Sequence, residues 1–227
     1  MRPKVPQERP NQICWGSALF TLMTIPYRSY EVVEGIVNDF IEQYHPTRLI
    51  PIPIERIVEF GLSIEIVPVL GLTAQFSIEA ALSNDFSTIH VDEGVMKGFE
   101  ARYRYSLAHE VGHHVMHGDV YPDEGLDSVE AWLAAQREWR ASTEYDRCEG
   151  QALDFAGLVL VPTDSLGQEM EKASEKAGRD LLKALRTTTN GRGPLCRYVG
   201  EKFGVSAAVI ERRMIKSLGW QHIAQAR

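Results

Sequence analysis

The segment RYSLAHEVGHHVMH, residues 104–117, is the stretch on which the fold prediction depends. Its apolar residues recur at four-residue spacing, with Leu107, Val111 and Val115 forming one stripe. This period is typical of a helix with one buried face. We therefore expect a helix from about Phe99 to His117, packed against other secondary structure.

Within this helix, His109, Glu110 and His113 form an HExxH pattern. Residues four apart lie one above the other on a helix, so both imidazoles can reach one cation while Glu110 lies beside them. Zinc with three protein ligands keeps a position open for water, lowers the pKa of that water and polarises a carbonyl, while a carboxylate takes the proton. The pattern predicts metal-assisted hydrolysis, with Glu110 as general base.

The third protein ligand is open to alternatives. The metzincin pattern would place it at Asp119, but Met116 stands where that pattern has a glycine to turn the chain. A later helix offers Glu149, with Glu144 as its runner-up. Glu149 is followed by small and apolar residues at helical spacing: Ala152, Phe155, Ala156, Val159 and Leu160. Such a stripe lets two helices pack closely, which favours Glu149.

Residues 104–117, together with EGQALDFAGLVLVP at residues 149–162, resemble the ImmA/IrrE family of zinc metallopeptidases. In that family an arginine-aromatic-Ser/Thr-Leu-Ala lead into HExGH is followed by a helix of the form ExxA(N/D)xFAxxLLxP. The resemblance implies one zinc ion per chain with His109, His113 and Glu149 as ligands and Glu110 as general base. Leu153 departs from the family pattern, which has Asn or Asp there.

The composition is that of a folded globular protein, with 44% hydrophobic and 24% charged residues among 227. Alternating apolar residues predict strands at residues 63–68 and 87–92. We expect an α+β fold with a zincin-like core, in which a small antiparallel sheet lies beside the two active-site helices. Further expected elements are helices at 13–23, 30–44, 54–60, 129–161 and 177–185, a surface loop at 119–127 and a linker at 187–194.

Three regions are expected: an N-terminal lead-in with helices at residues 1–45, the peptidase core at 46–170 and a basic helical accessory region at 171–227. The net charge is −7, which does not suit a dedicated nucleic-acid-binding protein, although the last region alone carries +7.

A segment within the accessory region, Tyr198–Met214, has a helix-turn-helix-like pattern broken at Gly204. Its second helix would present a poor set of base-reading side chains to a DNA groove: Ala207, Ala208, Glu211 and Arg212. DNA binding is therefore not favoured as the primary role. Packing on the core or binding of a protein partner is favoured instead.

Three more side chains are candidates for an auxiliary role. His117 lies one turn further along the ligand face, and a polar surface position is favoured for it over metal binding or assistance to the transition state. Tyr105 could donate to an oxyanion, although packing explains it equally well. His90 lies in the strand before the motif helix, where peptidases of this kind align substrate by edge-strand pairing.

The expected function is a zinc-dependent endopeptidase acting on a protein or peptide. The family resemblance implies limited cleavage of a regulatory protein, such as a DNA-binding repressor, in a stress response. The alternative is a non-catalytic zinc-containing protein that binds a repressor or DNA through its C-terminal region. Three widely spaced cysteines form no disulfide framework, which favours the cytoplasm. No apolar stretch approaches the roughly 20 residues that span a bilayer, so no membrane role is expected.

Overall fold

The computed structural model describes residues 25–83, 85–118, 140–177 and 189–217. Helices dominate this part of the chain, and a small sheet accompanies them. The elements are α1 (Tyr30–Tyr44), α2 (Ile54–Arg56, continued by a π-helical turn over Ile57–Gly61), β1 (Glu65–Val69), α3 (Leu72–Phe76), β2 (Ala80–Leu82), β3 (Thr88–Asp92), α4 (Glu93–Gly98), α5 (Glu100–His117), α6 (Thr143–Leu160), α7 (Thr163–Ala177), α8 (Thr189–Phe203) and α9 (Ala207–Ser217).

The periodic segments form the expected elements. The helix at 30–44, the strands at 63–68 and 87–92 and the motif helix are confirmed to within two residues. The long helix expected at 129–161 is present over Thr143–Leu160 and ends before Pro162. The expected helix is wrong at residues 141–142, because they form a turn and a bend, and Ser142, with extended backbone, caps the start of α6. Residues 129–139, the helix at 13–23, the loop at 119–127 and nearly all of the helix at 177–185 lie outside the described residues.

The linker expected at residues 187–194 is wrong from Thr189 onward, because α8 begins there and includes Pro194. Its local composition indicated a loop. Apolar residues further along the helix are buried: Leu195, Cys196, Val199 and Phe203. Burial of that face in the core stabilises the helix despite the weak local preference at its start.

The sheet has the strand order β1-β3-β2 and is mixed. β1 pairs with β3 in parallel, with Ile66 opposite Ile89, whereas β2 pairs with β3 antiparallel, with Ala81 opposite His90. The antiparallel sheet expected from the sequence is therefore wrong for the β1–β3 pair. Because α3 and β2 lie between these two strands in the chain, β3 can return beside β1 in the same direction. The α+β class is confirmed.

The motif helix α5 packs directly on α6. A Cβ atom added at Gly112 would lie 3.2 Å from both the Cα and the carbonyl oxygen of Ala152, and 3.2 Å from the Cβ of Phe155. Ala152 and Phe155 are fully buried, as are the other members of the predicted stripe: Ala156, Val159 and Leu160. Small residues on both helices thus allow their backbones to approach closely.

Arg213 joins the C-terminal helix α9 to the rest of the molecule. Its guanidinium group is buried and donates to the carbonyl of Val161 and the hydroxyl of Thr163, each at 2.9 Å, and to the hydroxyls of Tyr30 and Ser217. Burial lowers the pKa of Arg213 to about 10. One side chain therefore connects α9 with α1, the end of α6 and the start of α7.

None of the helices in the described ranges is both long and apolar enough to cross a membrane.

Substitution of Gly112 by alanine tests the packing of α5 on α6. Alanine gains about 1 kcal/mol in helix propensity over glycine. The new methyl group would meet backbone atoms of Ala152, which cannot rotate away. Because such overpacking typically costs about 1–3 kcal/mol, we expect a net loss in the free energy of unfolding, measured by urea denaturation.

Gly150→Ala on α6 is the matched control, because a Cβ atom there meets no described atom within 4 Å. This variant should gain up to about 1 kcal/mol from helix propensity alone. Equal stabilisation by both substitutions would contradict the close approach at Gly112.

Candidate metal centre

Two helices bring three ligand atoms together. α5 carries His109 and His113, whose Nε2 atoms are 3.0 Å apart. α6 carries Glu149, whose carboxylate oxygens lie 3.2 Å from Nε2 of His109 and 3.5 Å from Nε2 of His113. The HExxH histidines and the favoured third ligand thus lie at one point between the two helices.

The separations suit a metal ion. Each atom can offer a lone pair, and for metal–ligand bonds of 2.0–2.1 Å the edges of a tetrahedron are about 3.3 Å long. The three separations lie on either side of this value. Three electron-pair donors that converge in this way are favourable around a cation. Two imidazoles and a carboxylate also form the donor set of catalytic zinc sites that keep one position open.

The carboxylate of Glu149 is ionised. Burial alone would raise the pKa of Glu149, but its interactions with His109 and His113 outweigh burial and lower this pKa below its usual range. For His109, burial alone would lower the pKa, but Glu149 and Glu110 outweigh burial and raise it. Both shifts have one cause, which is that the Glu149 carboxylate favours positive charge beside it, and a bound cation would supply the same positive charge.

Glu110 is held by the sheet. Its side chain is 8% exposed, and its Oε2 atom accepts a hydrogen bond from the backbone N–H of Leu82, at 3.0 Å. Leu82 is the last residue of β2. The carboxylate next to the first histidine ligand is thus fixed against the backbone of a strand.

That strand is an edge strand of the described sheet. The N–H of Ser83 donates to the carbonyl of Thr88, and the N–H of Asp92 donates to the carbonyl of Glu79. Because backbone direction alternates along a strand, the polar backbone groups of Ala80 and Leu82 point away from β3. The edge therefore runs past Glu110.

His90 does not lie on this edge. It is in the central strand β3 and is 4% exposed, so the expectation that its strand is the edge for substrate is wrong. β2 was not predicted, because three residues are too short to show a period.

A second group of potential ligands lies behind the first. Nδ1 of His113 is 3.1 Å from Nδ1 of His117, and Sγ of Cys148 lies 3.5 and 3.4 Å from these two atoms. All three residues are buried, and His117 is completely so. The surface position favoured for His117 is therefore wrong. Since a neutral imidazole has one lone pair, His113 cannot bind a metal on both sides.

Sequence reasoning missed Cys148 and Gln151. Both lie on the buried face of α6, at helical spacing from Ala152 and Phe155. Helical spacing from Glu149 could have identified them as neighbours of α5, but it could not have shown which polar atoms they meet.

The remaining candidates lie apart from the three ligand atoms. The hydroxyl of Tyr105 donates to the backbone carbonyl of Leu153 at 3.1 Å and so ties α5 to α6. The carboxylate of Glu144 binds the N–H of Ile25 and the guanidinium of Arg147. Asp119 lies outside the described residues.

The position after Leu153 does not supply the polar group that the family pattern has at residue 153. Asp154 pairs with Arg212 and Lys216 of α9. Its carboxylate is therefore directed to the C-terminal helix.

Known proteins resemble this chain in sequence and in structure. The sequence model of the family described as Peptidase M78, IrrE N-terminal-like domain, matches residues 99–214, slightly more than half of the chain. A solved structure of a Mycobacterium tuberculosis transcriptional regulator is similar, with 16% sequence identity and a TM-score of 0.47. The match covers 82% of this chain and 46% of that one, so this chain spans less than half of that structure. No curated protein matches.

The family match includes both motif helices, α5 and α6, with the histidine pair and Glu149. The chain therefore belongs to the IrrE N-terminal-like family of peptidases, as its two sequence motifs predicted.

Proposed function

We propose that this protein is a zinc-dependent endopeptidase. The observation that carries the proposal is the convergence of His109, His113 and Glu149 on one point, beside a glutamate that a strand edge holds in place. The family supports a metallopeptidase function. These three residues would hold one zinc ion, which supplies Lewis-acid polarisation of a carbonyl and a lowered pKa for water.

Glu110 is the proposed general base and acid. Its carboxylate takes a proton from the attacking water and returns that proton to the departing amine. The hydrogen bond from the N–H of Leu82 fixes one carboxylate oxygen at 3.0 Å, which restricts rotation of the side chain. The base is thus oriented before substrate arrives, and less orientational freedom is lost in the reaction.

The edge of β2 is the proposed site for an extended substrate. Backbone groups of Ala80 and Leu82 point away from β3 at the place where Glu110 is bound. A peptide that adds to this edge gains main-chain hydrogen bonds, and its backbone passes close to the base. This geometry supports hydrolysis of a peptide bond over hydrolysis of a small ester or amide.

The family resemblance supports a regulatory protein, such as a DNA-binding repressor, as the substrate of limited cleavage in a stress response. The contacts of α9 argue against DNA as the primary partner, because Arg213 is buried while Arg212 and Lys216 pair with Asp154. We propose the accessory role for this region and, from the wide cysteine spacing, a cytoplasmic location.

Glu110→Gln tests the proposed base. Glutamine keeps the size and polarity of the side chain but cannot accept the proton. We expect zinc binding to persist and peptide cleavage to fall by about 10²–10⁴-fold. Cleavage is measured by mass spectrometry on a library of unstructured peptides, and zinc by atomic absorption.

Glu100→Gln is the matched control, since Glu100 is exposed at the start of the same helix. It should cleave like the wild type. Retention of wild-type cleavage by Glu110→Gln would exclude this mechanism, and absence of cleavage from the wild type would favour a non-catalytic zinc protein.

Glu149→Ala tests the third ligand. Loss of a direct ligand should weaken zinc binding by at least the roughly 10–100-fold typical of its outer neighbours. The measurement is a competition titration against a chelating dye. Asp146→Ala is the control, because Asp146 is an exposed carboxylate in the first turn of the same helix, so it should leave zinc affinity unchanged. Unchanged zinc affinity in Glu149→Ala would overturn the assignment.

A further inference from the structure

A chain of hydrogen bonds leads through the protein interior to His113. The side-chain amide of Gln151 donates to the carbonyl of Pro26 at 2.8 Å. Its Oε1 lies 3.1 Å from Nε2 of His117, and Nδ1 of His117 lies 3.1 Å from Nδ1 of His113. The three side chains that these hydrogen bonds link, those of Gln151, His117 and His113, are at most 5% exposed.

The neighbours of Gln151 determine which way its amide points. The carbonyl of Pro26 can only accept, so the NH₂ group must face it. The guanidinium of Arg28 can only donate, and it binds Oε1 at 3.1 Å. Because Oε1 is an acceptor, the Nε2 atom of His117 that faces it must carry a hydrogen.

This arrangement determines the direction of the next hydrogen bond. A neutral His117 with its hydrogen on Nε2 has its lone pair on Nδ1. The facing Nδ1 of His113 must then be the donor, since two lone pairs would repel each other. With its hydrogen on Nδ1, His113 has its lone pair on Nε2, which is the atom that faces His109 and Glu149.

We propose that Gln151 and His117 are positioning residues that hold His113 in the Nδ1–H tautomer and so present its Nε2 lone pair to the metal. This inference rests on the metal site of the proposed function. It also assigns the buried group of His113, His117 and Cys148 to hydrogen bonding. The Sγ atom of Cys148, 3.4–3.5 Å from both Nδ1 atoms, is a weak additional partner there.

The segment at residues 25–28 holds the first acceptor of this hydrogen-bond series, the carbonyl of Pro26, in place. Besides the two contacts to Gln151, the N–H of Ile25 donates to Glu144 at 2.6 Å, and Arg147 donates to the carbonyl of Ile25 at 3.0 Å. The carbonyl of Pro26 is thus held in place on α6, where it orients the amide.

The variants His117→Leu and His117→Asn separate positioning from packing. The Oδ1 atom of asparagine is attached to Cγ, as Nδ1 of histidine is, so it can accept the hydrogen bond from His113. Leucine has a similar size and no acceptor. We expect leucine to weaken zinc binding by about 10–100-fold, the range for outer partners of a ligand histidine, and asparagine to restore most of the affinity.

A packing role alone gives the opposite order, because an apolar side chain suits a fully buried position better than an amide. His114→Leu and His114→Asn are matched controls on the same helix and should not change zinc affinity. Zinc dissociation constants of the full chain are measured by dye competition, with circular dichroism to confirm folding. Equal affinities of the His117→Leu variant and the wild type would overturn the proposal.

Two measurements on the wild-type protein test the tautomer of His113 and the role of Cys148 without variants. In the metal-free protein, long-range ¹H–¹⁵N correlation should show the hydrogen of His113 on Nδ1, and a hydrogen on Nε2 would overturn the proposal. With Co²⁺ as probe, a thiolate-to-cobalt absorption band would place the metal beside Cys148 and also overturn it. If wild-type protein binds no zinc, the proposed function fails, whereas the NMR measurement still decides the tautomer.

Discussion

The close contact between α5 and α6 is the constraint on which the site depends. The two histidines belong to one helix and Glu149 to the other, so the ligand separations of 3.0–3.5 Å exist only if the helices approach at Gly112 and Ala152. A Cβ atom at residue 112 would lie 3.2 Å from backbone atoms of Ala152, so a larger side chain there strains the contact between the helices. The spacing of the metal ligands is therefore set by how closely the two helices pack.

The interface also separates two chemical environments. On the ligand side, a carboxylate and two Nε2 atoms converge, and Glu149 is 31% exposed. On the inner side, His117, Cys148 and Gln151 are buried and satisfy one another. His113 belongs to both sides through its two ring nitrogens. A ligand that is tied on its inner side loses less freedom when it binds a cation, which favours affinity.

Local periodicity was sufficient for part of this structure. The four-residue spacing in α5 placed His109 and His113 on one face, and the small stripe in α6 placed Glu149 near them. The strand β2 has only three residues, too few to show a period. The parallel pairing of β1 with β3 depends on contacts between residues that are distant in sequence, such as Glu65 and Thr88, which no local pattern contains. The same holds for Gln151, because its role is defined by Pro26, 125 residues earlier in the chain.

The shortness of β2 has a consequence for the choice of substrate. Its outward edge offers the backbone groups of Ala80 and the carbonyl of Leu82, because the N–H of Leu82 already binds Glu110, and these groups recognise an extended main chain and not particular side chains. Main-chain groups in a folded helix or sheet are already paired. Under the proposed function, a target must therefore expose a short unpaired segment, so local unfolding of the target would govern when it is cut.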